Sequence, residues 1–132
     1  MKLSTKGRYG LKAMYFLAKN PNENLSTTTL ATLTETSPAY LEKLMGILKK
    51  AKLVISTRGA SGGYMIAKDA KNISIGDILR TLEGKLYLAD CNAGKCSNIN
   101  CPNKNIFNAL YLKINKVLDD FSLEDMIRGN YE

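Results

Sequence analysis

The chain has 132 residues, 45% of them apolar, and a formal net charge of +7 at neutral pH. That length suits one compact domain, or a small domain with an appended dimerisation element, and no apolar run nears the roughly 18 residues that suggest a membrane span. Met1-Lys2-Leu3-Ser4 leads almost at once into an amphipathic segment, without the apolar core and cleavage site of a secretory signal, so a soluble, cytoplasmic protein with no membrane partner is expected.

The charge is unevenly spread. Residues 1–72 hold twelve Lys/Arg against four Asp/Glu, net +8, whereas residues 73–132 hold seven against eight, net −1. The amino-terminal part is therefore the candidate for binding a polyanion through phosphate neutralisation and counterion release, although a lysine excess also serves solubility.

In chain order, Leu11, Met14, Tyr15 and Ala18 repeat at helical spacing and predict a first helix over about Thr5 to Asn20, broken by Asn20-Pro21-Asn22. A short second helix near Thr28 to Glu35 is expected to bury Leu30, Ala31 and Leu33. Thr36-Ser37-Pro38 then supplies a turn, a capping hydroxyl and a proline suited to the first helical position. The third helix that starts there has a stripe of Leu41, Leu44, Met45 and Leu48, and a polar, basic face with Tyr40, Glu42, Lys43, Lys49 and Lys50. Two helices joined by a tight turn, the second basic outside, match helix-turn-helix architecture.

Two strand-like runs, Leu53 to Ser56 and Tyr64 to Ile66, flank Thr57-Arg58-Gly59-Ala60-Ser61-Gly62-Gly63 and predict a β-hairpin with a glycine-rich tip. The tip lacks the signatures of a nucleotide-binding loop, and its glycines serve either a positive-φ turn alone or also close backbone approach to a ligand. A hairpin placed just after a helix-turn-helix is a wing. A fourth helix near Ser74 to Glu83 turns Ile75, Ile78, Leu79 and Leu82 inward, and a last long helix, about Asn105 to Phe121, spaces Phe107, Leu110, Ile114, Val117 and Phe121 as a coiled-coil seam. Such a stripe also suits intradomain core, but its width favours a homodimer interface. Ser122-Leu123-Glu124-Asp125 starts a short terminal helix with acidic residues at its positive end.

Between the fourth helix and the seam lies "CNAGKCSNINC", which holds Cys91, Cys96 and Cys101, the only cysteines of the chain. Clustered cytoplasmic thiols point to metal or redox chemistry rather than a structural disulfide, and packing cysteines would be scattered over helices. There is no histidine and no nucleophile–base constellation, so an enzyme is not expected. The fold class expected is mainly α with a small β-hairpin. It divides into a winged helix-turn-helix domain at 1–83, a sensor loop at 84–104, and a dimerisation helix with terminal helix at 105–132.

"MKLSTKGRYGLKAM", "YLEKLMGILKKAKLV", "RGASGGY" and "ISIGDILRTLEG" together resemble the bacterial winged-helix regulators typified by IscR, NsrR and CymR, over essentially the whole chain. The resemblance implies a homodimer on a partly palindromic duplex DNA operator, with the third helix in the major groove and the wing in the minor groove. It carries DNA contacts onto Tyr40, Glu42, Lys43 and the wing residues Arg58, Gly59, Ser61 and Gly62. Tyr40, Glu42 and Lys43 also lie in the first turns of the third helix, where helix-turn-helix proteins contact bases. Lys6, Arg8, Lys49 and Lys50 are expected phosphate partners.

The resemblance also implies an iron–sulfur cluster, 2Fe–2S or 4Fe–4S, on Cys91, Cys96 and Cys101. The fourth ligands familiar in the family are missing: Lys104 stands where the iron regulator has a histidine, and Arg8 where the nitric-oxide sensor has an aspartate. Asp90, an asparagine, a partner-subunit group or an external thiol or water is left for the open position. Two alternatives stand beside the cluster. One is a cluster-free regulator of cysteine and sulfur metabolism governed by thiol oxidation or a partner protein, as in the branch lacking the triad. The other is zinc, which ranks lower because zinc usually takes four Cys or His ligands.

Overall fold

A computed structural model describes residues 2–98 and 100–132. Six helices and one hairpin follow in order: α1 (Thr5–Lys19), α2 (Thr27–Thr34), α3 (Pro38–Lys50), β1 (Val54–Thr57), β2 (Gly63–Ile66), α4 (Ile75–Glu83), α5 (Asn103–Asp120) and α6 (Leu123–Arg128). A 3-10 turn at Ala70–Asn72 precedes α4. Among the described residues no helix is long and apolar enough to cross a membrane.

α1 is the central element and packs against α4, α6, α2, α3 and β2. Its inward face is Ala13, Met14, Leu17 and Ala18, with Gly10 one turn and Gly7 two turns earlier. Relative to the expected stripe the face is rotated: Leu11 and Tyr15 are half-buried, while Ala13 and Leu17 are fully buried. The two glycines set the α1–α4 distance, because a Cβ on Gly10 would run into the Leu82 side chain and one on Gly7 into the Glu83 carboxylate.

α3 buries Leu41, Leu44, Met45 and Leu48 completely, as its periodicity predicts. Truncating any one of them to alanine removes buried methyl groups and leaves a cavity, at a cost of about 2–5 kcal/mol. α2 departs from expectation at one position. Leu33 is 37% exposed, and the fully buried neighbour is Thr34, whose hydroxyl donates to the Leu30 carbonyl at 2.7 Å and so enters the core satisfied.

The hairpin pairs Val54 with Ile66, Ile55 with Met65, Ser56 with Tyr64 and Thr57 with Gly63. Val54 and Ile66 close the core beneath it, and Leu25 joins as a third edge, exchanging backbone bonds with Tyr64 at 2.9 and 3.0 Å.

The chain then packs one long helix against α4. α5, about 27 Å long at 1.5 Å per residue, has no buried residue. The chain after it is drawn back where the Ile75 N–H donates to the Phe121 carbonyl and the Leu123 N–H to the Ile73 carbonyl, both at 2.8 Å. Leu123 is fully buried in the winged-helix core, and Met126 and Ile127 pack on it. The terminal helix, grouped with the dimerisation helix in the sequence reading, thus packs with the amino-terminal domain.

Candidate nucleic-acid interface and cysteine loop

The turn of the helix-turn-helix is made by Glu35 in the left-handed region (φ 60), with its N–H turned back to the Ala31 and Thr32 carbonyls. Ser37 Oγ then accepts from the Tyr40 N–H at 3.2 Å and starts α3. With its apolar stripe buried, α3 leaves Glu42, Lys43, Lys49 and Lys50 exposed. Tyr40 is placed differently. It is half-buried, its ring edge-on to Tyr9 at 6.4 Å and its hydroxyl donating to Thr5 Oγ1 at 3.2 Å, so it holds the amino end of α3 to the first turn of α1.

At the wing tip Arg58, Gly59, Ala60 and Ser61 are exposed. Gly59 has φ 103, a region that L side chains rarely adopt, and the Gly62 N–H closes the tip on the Gly59 carbonyl at 3.0 Å. An open cleft of about 430 Å³ separates this tip from the amino end of α2, with Thr57 and Arg58 on one wall and Ser26, Thr27 and Thr28 on the other. Of the three hydroxyl residues on the second wall only Thr28 is anticipated in the sequence, and only as the start of the second helix. Of the amino-terminal pair, Arg8 is exposed and Lys6 half-buried.

The ion pairs among the described residues are Arg80–Asp119, Lys116–Asp120 and Arg128–Glu124, all in the carboxyl-terminal half. No lysine or arginine of residues 2–72 is paired among them, so the positive charge of the helix-turn-helix and wing is uncompensated.

All three cysteines line one small cavity of about 180 Å³, together with Asp90, Asn98, Asn103, Lys104 and Phe107. Cys91 and Cys101 are half-buried and Cys96 is exposed, and all three are free thiols. The amino end of the loop is a compact turn: the Asp90 carbonyl accepts from Ala93 and Lys95, and the Asn92 side chain accepts from the Ala89 N–H at 3.1 Å. As a donor set, three thiols and one carboxylate around a cavity suit an iron–sulfur cluster. Among the described residues no three Cys, Asp, Glu or His side chains stand together at metal-binding geometry.

The expected seam is split along α5. Phe107, Ile114 and Phe121 are half-buried, while Leu110 (39%) and Val117 (55%) are exposed, as are Ile106 (53%) and Leu112 (61%). Tyr111 stacks on Tyr87 at 5.5 Å, which attaches this helix to the segment leading into the cysteine loop.

A helix-turn-helix followed by a wing, both bearing unpaired cations, defines a winged-helix regulator of transcription rather than an enzyme. Residues 3–129 match the Rrf2 family, described as an iron-dependent transcriptional regulator, and the chain belongs to that family. It is 38% identical over 131 residues to the HTH-type transcriptional regulator CymR of Bacillus subtilis strain 168, covering 96% of this chain and 89% of the relative. The solved structure of CymR, the global cysteine regulator of B. subtilis, matches with a TM-score of 0.85 at 35% identity over 99% of both chains. T. potens IscR matches with a TM-score of 0.79 at 36% identity, over 99% of this chain and 89% of that one.

Proposed function

We propose that the protein is a homodimeric, cytoplasmic, sequence-specific DNA-binding regulator that reads iron–sulfur status through Cys91, Cys96 and Cys101. The observation that carries DNA binding is the uncompensated positive charge of the helix-turn-helix and wing. Lys43 and Glu42 sit in the first turns of α3, where base edges are read; a carboxylate accepts from cytosine and repels phosphate, so Glu42 discriminates among sequences. Arg58, with Gly59, Ser61 and Gly62, supplies the wing contact, and Lys6, Arg8, Lys49 and Lys50 neutralise phosphates. Tyr40 serves the same surface by fixing the amino end of α3.

Dimerisation is supported by α5, which buries no residue within its own chain and exposes Leu110 and Val117. An apolar hollow of about 320 Å³, lined by Leu11, Ile75, Leu118, Phe121, Met126 and Tyr131, lies beside its carboxyl end. A second copy covers both, and two recognition helices then meet a partly palindromic duplex.

The sensor reading rests on the three thiols sharing one cavity. When bound, the cluster supplies one-electron redox chemistry and lability to oxidants; the chain supplies three thiolates, a cover from Phe107, and no histidine. The likeness to CymR favours a second reading, a cluster-free regulator of sulfur metabolism switched by thiol oxidation. The test is to select duplexes from a random-sequence pool, then compare affinity for the winner before and after anaerobic reconstitution with iron and sulfide. A change in affinity that Cys96→Ala abolishes supports the cluster reading; a change produced only by oxidation of the thiols supports the second.

A further inference from the structure

The first turn of α1 lacks a local cap. Ser4 makes no side-chain capping bond, and no acidic residue stands in the first turn, where Lys6 and Arg8 oppose the helix dipole. The missing acceptor comes from 79 residues away. Glu83 Oε1 accepts from the Ser4 N–H at 2.8 Å, the Ser4 hydroxyl at 2.6 Å and the Gly7 N–H at 2.9 Å. Charge-assisted bonds of this kind are roughly twice as strong as neutral ones. Gly7 leaves the room for them, since a Cβ there would collide with the carboxylate.

Glu83 is the last residue of α4 and precedes Gly84, which has φ 82 and opens the segment leading to the cysteines. At the other side of the same helical turn, Thr5 Oγ1 receives the Tyr40 hydroxyl and Tyr9 meets the Tyr40 ring. One continuous set of contacts thus runs from the root of the cysteine loop to the amino end of the recognition helix, beside Glu42 and Lys43. A carboxylate at the carboxyl end of its own helix is poorly placed for that helix's dipole, which is consistent with its being held there for a distant partner.

We infer that Glu83 is a positioning residue that transmits the state of the cysteine loop to the recognition helix through Ser4, Gly7, Thr5 and Tyr40. A change in the loop that withdraws the carboxylate frees the first turn of α1 and with it the anchor of Tyr40. The inference rests on the loop being the sensor, but not on which chemistry the loop performs.

All cysteines of the chain lie in the loop, so iodoacetamide alkylation alters the loop selectively. The experiment measures full-chain affinity for the selected duplex with thiols reduced and with thiols alkylated, in the native chain, Glu83→Gln and Tyr40→Phe. The native chain is expected to shift by roughly fivefold or more between the two states, the lower range of coupling between sites. In Glu83→Gln and in Tyr40→Phe, which lack the charge at one end of the path and the hydroxyl at the other, the shift is expected to fall to within about twofold. A full shift retained in both variants overturns the path while leaving the sensor reading intact. Equal affinities of the two states in the native chain overturn the coupling itself, whereas iron and sulfide content decides the cluster separately. Tyr40→Phe keeps the inference testable should Glu83→Gln fold poorly.

Discussion

The Arg80 guanidinium donates to the Asp119 carboxylate and ties α4 to the last turn of α5, the helix that has no buried residue of its own. Gly76 lies beneath the pair, where a Cβ would strike both Asp119 and Arg80. Because Asp119 is half-exposed, Asp119→Ala is expected to cost less than about 1 kcal/mol. At Gly76 an added Cβ meets only the movable ends of these two side chains, so Gly76→Ala displaces the ion pair and is likewise expected to cost less than about 1 kcal/mol. Urea unfolding of the two variants checks this; a much larger loss in Gly76→Ala would show that the helices, and not only the two side chains, must move.

Specific DNA binding is expected to be strongly salt-dependent. If about six phosphates are neutralised, affinity falls roughly a thousandfold between 50 and 200 mM salt. Arg58→Ala or Lys43→Ala is expected to weaken binding by on the order of 1–3 kcal/mol, while Lys49→Ala reduces the salt slope by about one. Fluorescence anisotropy across a salt series measures all of these. Binding indifferent to both Arg58 and Lys43 would move the reading surface elsewhere.

A charge at the exposed part of the seam is expected to dissociate the dimer, since it would be buried unpaired between subunits. Val117→Glu is cleaner than Ile114→Glu, because Val117 is 55% exposed within its own chain and Ile114 is already half-buried there. Sedimentation velocity should show a folded monomer that no longer binds the palindromic duplex. A Val117→Glu protein that stays dimeric would relocate the interface.

The start of α6 is a reciprocal cap. The Asp125 carboxylate accepts from the Ser122 N–H at 2.9 Å, and the Asp125 N–H donates to Ser122 Oγ at 3.0 Å. The Ser122 N–H chiefly, with the Ser122 and Asn130 side chains, holds the Asp125 pKa below the ordinary carboxylate range. A depressed folded-state pKa means that the unfolded chain binds the proton more tightly. The stabilisation is therefore complete above the unfolded pKa and disappears as pH falls through the folded one. Asp125→Asn is expected to lower stability near neutral pH, with the gap to the native chain closing in acid; a gap constant with pH would remove the carboxylate from that role.

Legibility in the sequence followed the range of the interaction. α3 was readable because Leu41, Leu44, Met45 and Leu48 all lie on one helical face and all four are buried. Ser37-Pro38 marked its start by local chemistry alone. Thr34 was not readable, since a buried threonine whose hydroxyl bonds a carbonyl four residues back looks like any polar helix residue. The rotation of α1 was missed because Gly7 and Gly10 are buried for close approach and carry no hydrophobic signal. Glu83 could not be assigned its partners, which lie 76 and 79 residues earlier in the chain. The clustering of the three cysteines was legible and they line one cavity, whereas the half-buried state of Phe107, Ile114 and Phe121 against exposed Leu110 and Val117 depends on how α5 packs against α4.

Iron and acid-labile sulfide content of anaerobically purified protein, read with its visible spectrum, tests the sensor most directly. The expected result is iron and sulfide in equal amounts, with absorbance that any one of Cys91→Ala, Cys96→Ala and Cys101→Ala abolishes. Stoichiometric zinc without sulfide, or absorbance that survives Cys96→Ala, would contradict it.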